Sequence, residues 1–228
     1  VNKYDSLDGL NESWATSFWS QRFSDWDEVI PPRRTPYFPN PTQQLDFKRF
    51  SSDALLSSFS AERDAIRRHS PADKPITTNF MRFFPHADYW RWAAAEDVVS
   101  DDWYPDLADP ASHVEGAAGA DLMRSLGNGR PWLLMEQAVS AINWRTVNPP
   151  KAGGDYRRWS LQQVAHGADA VLHFQWRASA GGAEKWHSGM LPHAGPRTRT
   201  WRTVLALGSE LASLHELAGA RTAADVAI

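Results

Sequence analysis

The 228-residue chain is 42% hydrophobic, 12% aromatic and 22% charged, enough to bury one large core or two small ones. With 24 Lys and Arg against 27 Asp and Glu, a net charge of -3 and no block of like charge, it presents no basic stripe for nucleic acid, and no apolar run approaches the roughly 18 residues of a membrane-spanning helix. The absence of cysteine excludes disulfides, thiolate metal sites and cysteine nucleophiles and fits a reducing compartment, so a cytoplasmic location is expected.

The chain opens at Val1 without Met, and the acidic, apolar pattern over residues 6–14 suits a short helix. Residues 20–41 are rich in Pro, Arg, Trp and Asp. Within them Ile30-Pro-Pro-Arg-Arg-Thr-Pro36 and Phe38-Pro-Asn-Pro41 forbid regular helix and central strand, leaving an ordered, aromatic loop. Over residues 42–69, Leu45, Phe50, Leu55, Leu56, Phe59 and Ile66 recur near helical spacing without a breaker, predicting one or two helices. Ile76-Thr-Thr-Asn-Phe-Met81, after Pro75, is the first strand. A short helix over 88–96 follows, then a strand Val98-Val-Ser-Asp-Asp-Trp-Tyr104 and an Ala-rich helix over 112–126 that Gly127 and Gly129 end. Trp132-Leu-Leu-Met-Glu-Gln137 is a third strand, 155–166 a helix, Ala170-Val-Leu-His-Phe-Gln-Trp176 a fourth strand, and 198–217 a long amphipathic helix. Residues 223–228 start another strand-like run. Both ends read as lying inside a structure, so a stretch of a longer protein is expected.

Short apolar strands alternating with helices imply an α/β fold with a parallel sheet, because parallel strands need long crossovers. A doubly wound sheet usually carries a Gly-rich phosphate loop after its first strand, and none is present; the expectation is the second half of a (β/α)8 barrel, about four βα units.

In such a barrel the chemistry sits at the C-terminal ends of the strands. Glu136 ends an otherwise apolar strand, where a carboxylate is costly without a task or a partner; the alternative is a solvent-facing strand end. Trp144 lies in the loop after the same strand. With 12 Trp in the chain it suits either loop packing, the commoner use, or an aromatic platform against the apolar face of a sugar ring. Glu184 and His187 follow the fourth strand and suit either a hydrogen-bonding pair for vicinal hydroxyls or a surface ion pair with Lys185. Tyr104 is placed to donate to a carboxylate at the strand ends, whereas Asp101 and Asp102 read as turn formers before Pro105. Of the eight His, His187 and His193 make only a weak metal spacing, so no metal and no cofactor are expected. A Gly-x-Ser-x-Gly elbow is also absent, against a serine hydrolase of the α/β type.

Several uncommon motifs occur in order along nearly the whole chain: Phe18-Trp-Ser-Gln-Arg-Phe-Ser-Asp-Trp-Asp-Glu-Val29, Pro39-Asn-Pro-Thr-Gln-Gln-Leu-Asp-Phe47, Trp132-Leu-Leu-Met-Glu-Gln137 and His173-Phe-Gln-Trp-Arg177. Together they resemble the β-galactosidases of glycoside hydrolase family 42, of actinobacterial type. The resemblance implies that residues 1–218 are the C-terminal half of a barrel catalytic domain and 219–228 the start of a following α/β trimerisation-type domain, with a homotrimer as the whole protein. It implies Glu136 as catalytic nucleophile and substrate contacts from Trp144, Glu184, His187 and Tyr104. The family's acid/base glutamate lies upstream of the segment matching residues 4–19. Glu12, in Asn11-Glu12, mimics its dipeptide but falls in a helix-like stretch, and the role is not transferred to it. The function implied is a retaining β-galactosidase acting on terminal β-D-galactosides. The alternatives are a non-catalytic sugar-binding remnant and an α-L-arabinopyranosidase of the same family.

Overall fold

The computed structural model describes residues 3–222. The strand-like run expected over 223–228 lies outside the described residues. Two compact units divide the chain: Val1–His69 with Pro85–Asp88, and Ser70–Phe84 with Tyr89–Ile228.

In the first unit, α1 (Leu7–Ser13) starts where the Ser6 hydroxyl accepts the Gly9 N–H at 3.0 Å. Its buried Asn11 binds the loop that follows, donating to the Phe23 carbonyl at 2.8 Å and accepting the Phe23 N–H at 2.9 Å. Glu12 beside it is exposed, an ordinary acidic helix residue. The Pro-rich segment carries only single-turn helices, Phe18–Ser20 and Trp26–Glu28. One continuous helix, α2 (Pro41–His69), then covers the stretch predicted as one or two. The Asn40 side chain accepts the N–H groups of Thr42 and Gln43 at 3.0 and 3.3 Å, and Pro41 occupies the first helical position, where its missing N–H costs nothing. Arg67, Arg68 and His69 complement the helix dipole in the last turn.

The second unit is a parallel sheet in the order β1 (Asn79–Phe80), β2 (Ser100–Asp102), β3 (Trp132–Glu136), β4 (Ala168–Val171). Helices α3 (Tyr89–Ala93), α4 (Ser112–Leu126) and α5 (Asp155–Ala165) cross between strands, and α6 (Arg199–Ser213) follows β4. The alternation is as expected, but the ladders are shorter than the apolar runs. At residues 76–78 side chains replace ladder bonds: the Thr77 hydroxyl donates to the Val98 carbonyl at 2.7 Å and the Asp97 carboxylate takes the Ile76 N–H at 2.7 Å. Beyond Val171 the backbone turns to a loop instead, with Met190 and Leu191 N–H groups donating to the carbonyls of Gln175 and Trp176 at 2.8 Å. The last helix likewise ends at Ser213, followed by a single turn at His215–Leu217.

Between β2 and β3 the register slips: Asp101 pairs with Leu134 but Asp102 pairs with Glu136, so Met135 is an extra residue on β3. Trp132 and Leu134 are buried on the helix side, the Trp132 indole donating to the His166 carbonyl at the end of α5. Leu133, Met135 and Glu136 are half-buried. On the helix side α4 lies so near β2 that a Cβ on Gly116 would sit 2.4 Å from the Trp103 ring. Beyond β3, Val139 packs with Tyr156 of α5 and with Val204 and Leu207 of α6.

Asp101 is not a turn former. It is buried on β2 as the partner of Arg82, which lies 2.9 Å away, gives its backbone N–H to Asp101 at 2.8 Å and stands over the rings of Trp103 and Trp132. Losing either partner would strand a buried charge, at a cost of about 3–5 kcal/mol. A second buried acid, Glu96, stands at the entry to β2. Its Oε2 lies 3.3 Å from the Thr77 hydroxyl and its Oε1 has no partner. Burial pushes it from 4.5 up to about 8, against the pull of hydrogen bonds from Thr77 and Thr78.

Among the described residues no helix is long and apolar enough to cross a membrane. Leu45, Phe50, Leu55 and Ile66 of α2 are exposed, and β1 and β4 are sheet edges. The 228-residue chain expressed by itself should therefore associate, as sedimentation would show; a sharp unfolding transition of a monomer at low concentration would refute this. The penalty for ionising Glu96 in the folded state is absent below about 4.5 and complete above about 8, so stability falls as pH rises through that window. Glu96→Gln should leave the melting temperature near pH 5 almost unchanged and raise it near pH 8.5; equal shifts at both would contradict the burial argument.

Candidate active site

The five residues singled out in the sequence converge at the C-terminal ends of β2 and β3 and in the loops beyond β3 and β4. Tyr104, two residues past β2, donates its hydroxyl to Glu136 Oε2 at 2.6 Å. Burial raises the pKa of that hydroxyl, and Glu136, Asp102 and Glu184 raise it further, so Tyr104 remains a donor. The Trp144 ring, about half exposed, meets Tyr104 edge-on at 4.8 Å and stacks on His187 at 5.3 Å and 25°. Tyr104 and Phe174 approach His187 edge-on at 5.9 and 5.0 Å. Buried within this aromatic enclosure, His187 has Nδ1 2.9 Å from the Ser188 carbonyl, which can only accept, so Nδ1 donates to it, and Nε2 is buried without a partner. Glu184 is exposed in the same turn, its carbonyl accepting the His187 N–H at 3.0 Å.

These groups come from separate loops, and polar ties hold the loops together. Arg145 donates to the Tyr104 carbonyl at 2.8 Å and to Asp106 at 3.2 Å, linking the Trp144 loop to the exit of β2. Ser188 and Asn143 bind the His187 turn to the same loop, through the Ala141 carbonyl at 3.0 Å and the Ala183 carbonyl at 2.7 Å.

Behind Glu136 lies a buried polar layer that sequence reasoning did not assign to the site. Gln137 donates to the Ser160 hydroxyl at 2.6 Å, and Tyr156 donates to His173 Nε2 at 2.7 Å. Burial, with the nearby Lys151 charge, pushes His173 down to about 4, so it stays neutral and accepting. Lys151 donates to the Ala138 carbonyl over the Tyr156 and Trp159 rings, and burial brings it down to about 7. Gln137 and His173 stand in two of the quoted motifs, the one signal that marked them. No group of three metal-binding side chains occurs among the described residues. His193 binds the Ser179 carbonyl at 2.7 Å and does not join His187.

Comparison with known proteins bears on the same chain. The family model for β-galactosidases of glycoside hydrolase family 42 matches residues 1–214. The chain belongs to this family. A β-galactosidase LacZ from Heyndrickxia coagulans is 48% identical over 227 residues, covering 99% of this chain and 34% of that protein. The crystal structure of a β-galactosidase from Bacillus circulans sp. alkalophilus superposes with a TM-score of 0.89 at 43% identity, over 97% of this chain and 34% of that one. A cold-adapted β-galactosidase from Rahnella sp. R3 gives 0.91 at 38% identity, covering 98% of this chain and 33% of that one. The chain spans about a third of the length of the curated family 42 relatives it matches. Its four parallel strands with their helices, among the described residues, match part of a (β/α)8 barrel of this family.

Proposed function

We propose that the protein carrying this chain is a retaining β-galactosidase that releases terminal β-D-galactose, with Glu136 as its nucleophile. The observation that supports this is the 2.6 Å Tyr104–Glu136 hydrogen bond beside the aromatic enclosure of Trp144 and His187, in a chain whose family relatives are named β-galactosidases. The Tyr104 hydroxyl engages Oε2 and leaves Oε1 to attack the anomeric carbon. The aglycone oxygen departs with a proton from a second carboxyl, which then takes a proton from the water that displaces Glu136. Retention requires that carboxyl at roughly 5 to 5.5 Å from the nucleophile. The exposed face of Trp144 packs on the apolar side of the sugar and the exposed Glu184 carboxylate accepts from its hydroxyls, in hydrogen bonds that tighten in the transition state, while buried His187 backs the Trp144 ring. A cytoplasmic location and a homotrimeric whole protein belong to the same reading.

In the full-length protein, Glu136→Ala should lower kcat/KM for an aryl β-D-galactoside by about a thousandfold or more with an unchanged melting temperature. A fluorinated galactoside should add its sugar mass at Glu136. Near-normal turnover of the variant, or galactose binding without any label, would refute the assignment.

A further inference from the structure

On the strand next to Glu136 stands a second carboxyl that the double displacement does not use. Asp102 ends β2 as the register partner of Glu136, one parallel-strand spacing away. Its Oδ2 accepts a hydrogen bond from the Asn79 side-chain amide on β1, and its Oδ1 is buried without a partner. Two carboxyls in register on neighbouring strands repel each other when both are ionised, so such a pair tends to hold one proton between them. Glu136 already receives the Tyr104 hydroxyl, a donor suited to a carboxylate, whereas Asp102 has an enclosed oxygen with no donor to it.

We propose that Asp102 is a positioning residue of this site: its carboxyl, in register with Glu136 on the neighbouring strand, acts through its charge on the nucleophile and sets how glycosylation depends on pH. This rests on Glu136 being the nucleophile. The charged and titratable groups around Asp102 are Asp101 on its own strand, Glu136 on β3, Arg82 after β1, Tyr104 after β2 and Tyr89 on α3. Burial raises Asp102 from 3.8 to about 7; the Asn79 amide opposes the shift, Glu136 and Asp101 add to it, and Arg82 opposes it. Tyr104 and Tyr89 are both raised, Tyr89 to about 12, and stay neutral throughout. Asp102 is therefore neutral below about 7 and an anion above it. Forming the glycosyl-enzyme moves negative charge off Glu136 and onto the departing group, and an anion at Asp102 favours that movement. Glycosylation should accelerate as Asp102 ionises.

The test uses the full-length protein and 2,4-dinitrophenyl 2-deoxy-2-fluoro-β-D-galactopyranoside, whose leaving group departs without a proton, so that the acid/base group does not shape the profile. The inactivation rate is followed from about pH 5.5 to 8.5. The wild-type rate should rise about threefold to tenfold around neutral pH, and Asp102→Asn, a neutral isostere at every pH, should lose the rise. A rise retained in Asp102→Asn overturns the proposal. Asn79→Ala serves as a second variant: without its amide donor the inflection should move to higher pH, and an unmoved inflection overturns the proposal as well. Peptide mapping of the adduct separates the two readings, because a label on a residue other than Glu136 refutes the nucleophile assignment itself, whatever the pH profiles show.

Discussion

The one extra residue that β3 carries against β2 decides which way Glu136 faces. In an uninterrupted strand Glu136 would follow Trp132 and Leu134 onto the helix side, where a carboxylate would be buried among Trp103, Trp132 and Trp159. With Asp101 opposite Leu134 and Asp102 opposite Glu136, the alternation is reset by one place. Glu136, half-buried like Leu133 and Met135, then meets the Tyr104 hydroxyl. A bulge beside a reactive side chain is a recurrent means of re-aiming it, at the loss of local ladder bonds.

Keeping that aim depends on what lies on either side of the strand end. In front, Arg145, Asn143 and Ser188 tie the loops bearing Tyr104, Trp144 and His187 into one assembly, so that residues far apart in sequence share a few ångströms. Behind, Gln137, Ser160, Tyr156 and His173 form a buried hydrogen-bonded layer, and Lys151 fixes the Ala138 carbonyl. Buried polar groups of this kind are costly singly and rigid when paired. The same logic holds deeper in the sheet, where the Arg82–Asp101 pair sits between aromatic rings and α4 comes close only because Gly116 lacks a side chain.

Much of the architecture was legible in local pattern. The helix at 112–126 has the bounds its alanines and terminal glycine predict, and the β3 apolar run differs from the observed strand by one residue. The short first and fourth strands were not legible as such: β propensity marks residues that suit a pleated surface, while the ladder ends where Thr77, Asp97 and the 188–191 loop take over the backbone groups. Asp101 was misread for a similar reason. An aspartate near a proline looks like a turn residue until its partner is known, and Arg82 lies 19 residues away.

The amino-acid sequence by itself determined the alternation of strands and helices, the family, and the identity of the carboxylate at the end of β3, because periodicity, breakers and uncommon motifs are properties of neighbouring residues. Tertiary structure alone decided the face on which Glu136 projects, the enclosure of His187 by Tyr104, Trp144 and Phe174, and the pairing of Asp102 with Glu136. Those depend on strand register and on contacts between loops separated by tens of residues. One inserted residue can reverse a side chain's direction without changing the composition that local patterns read.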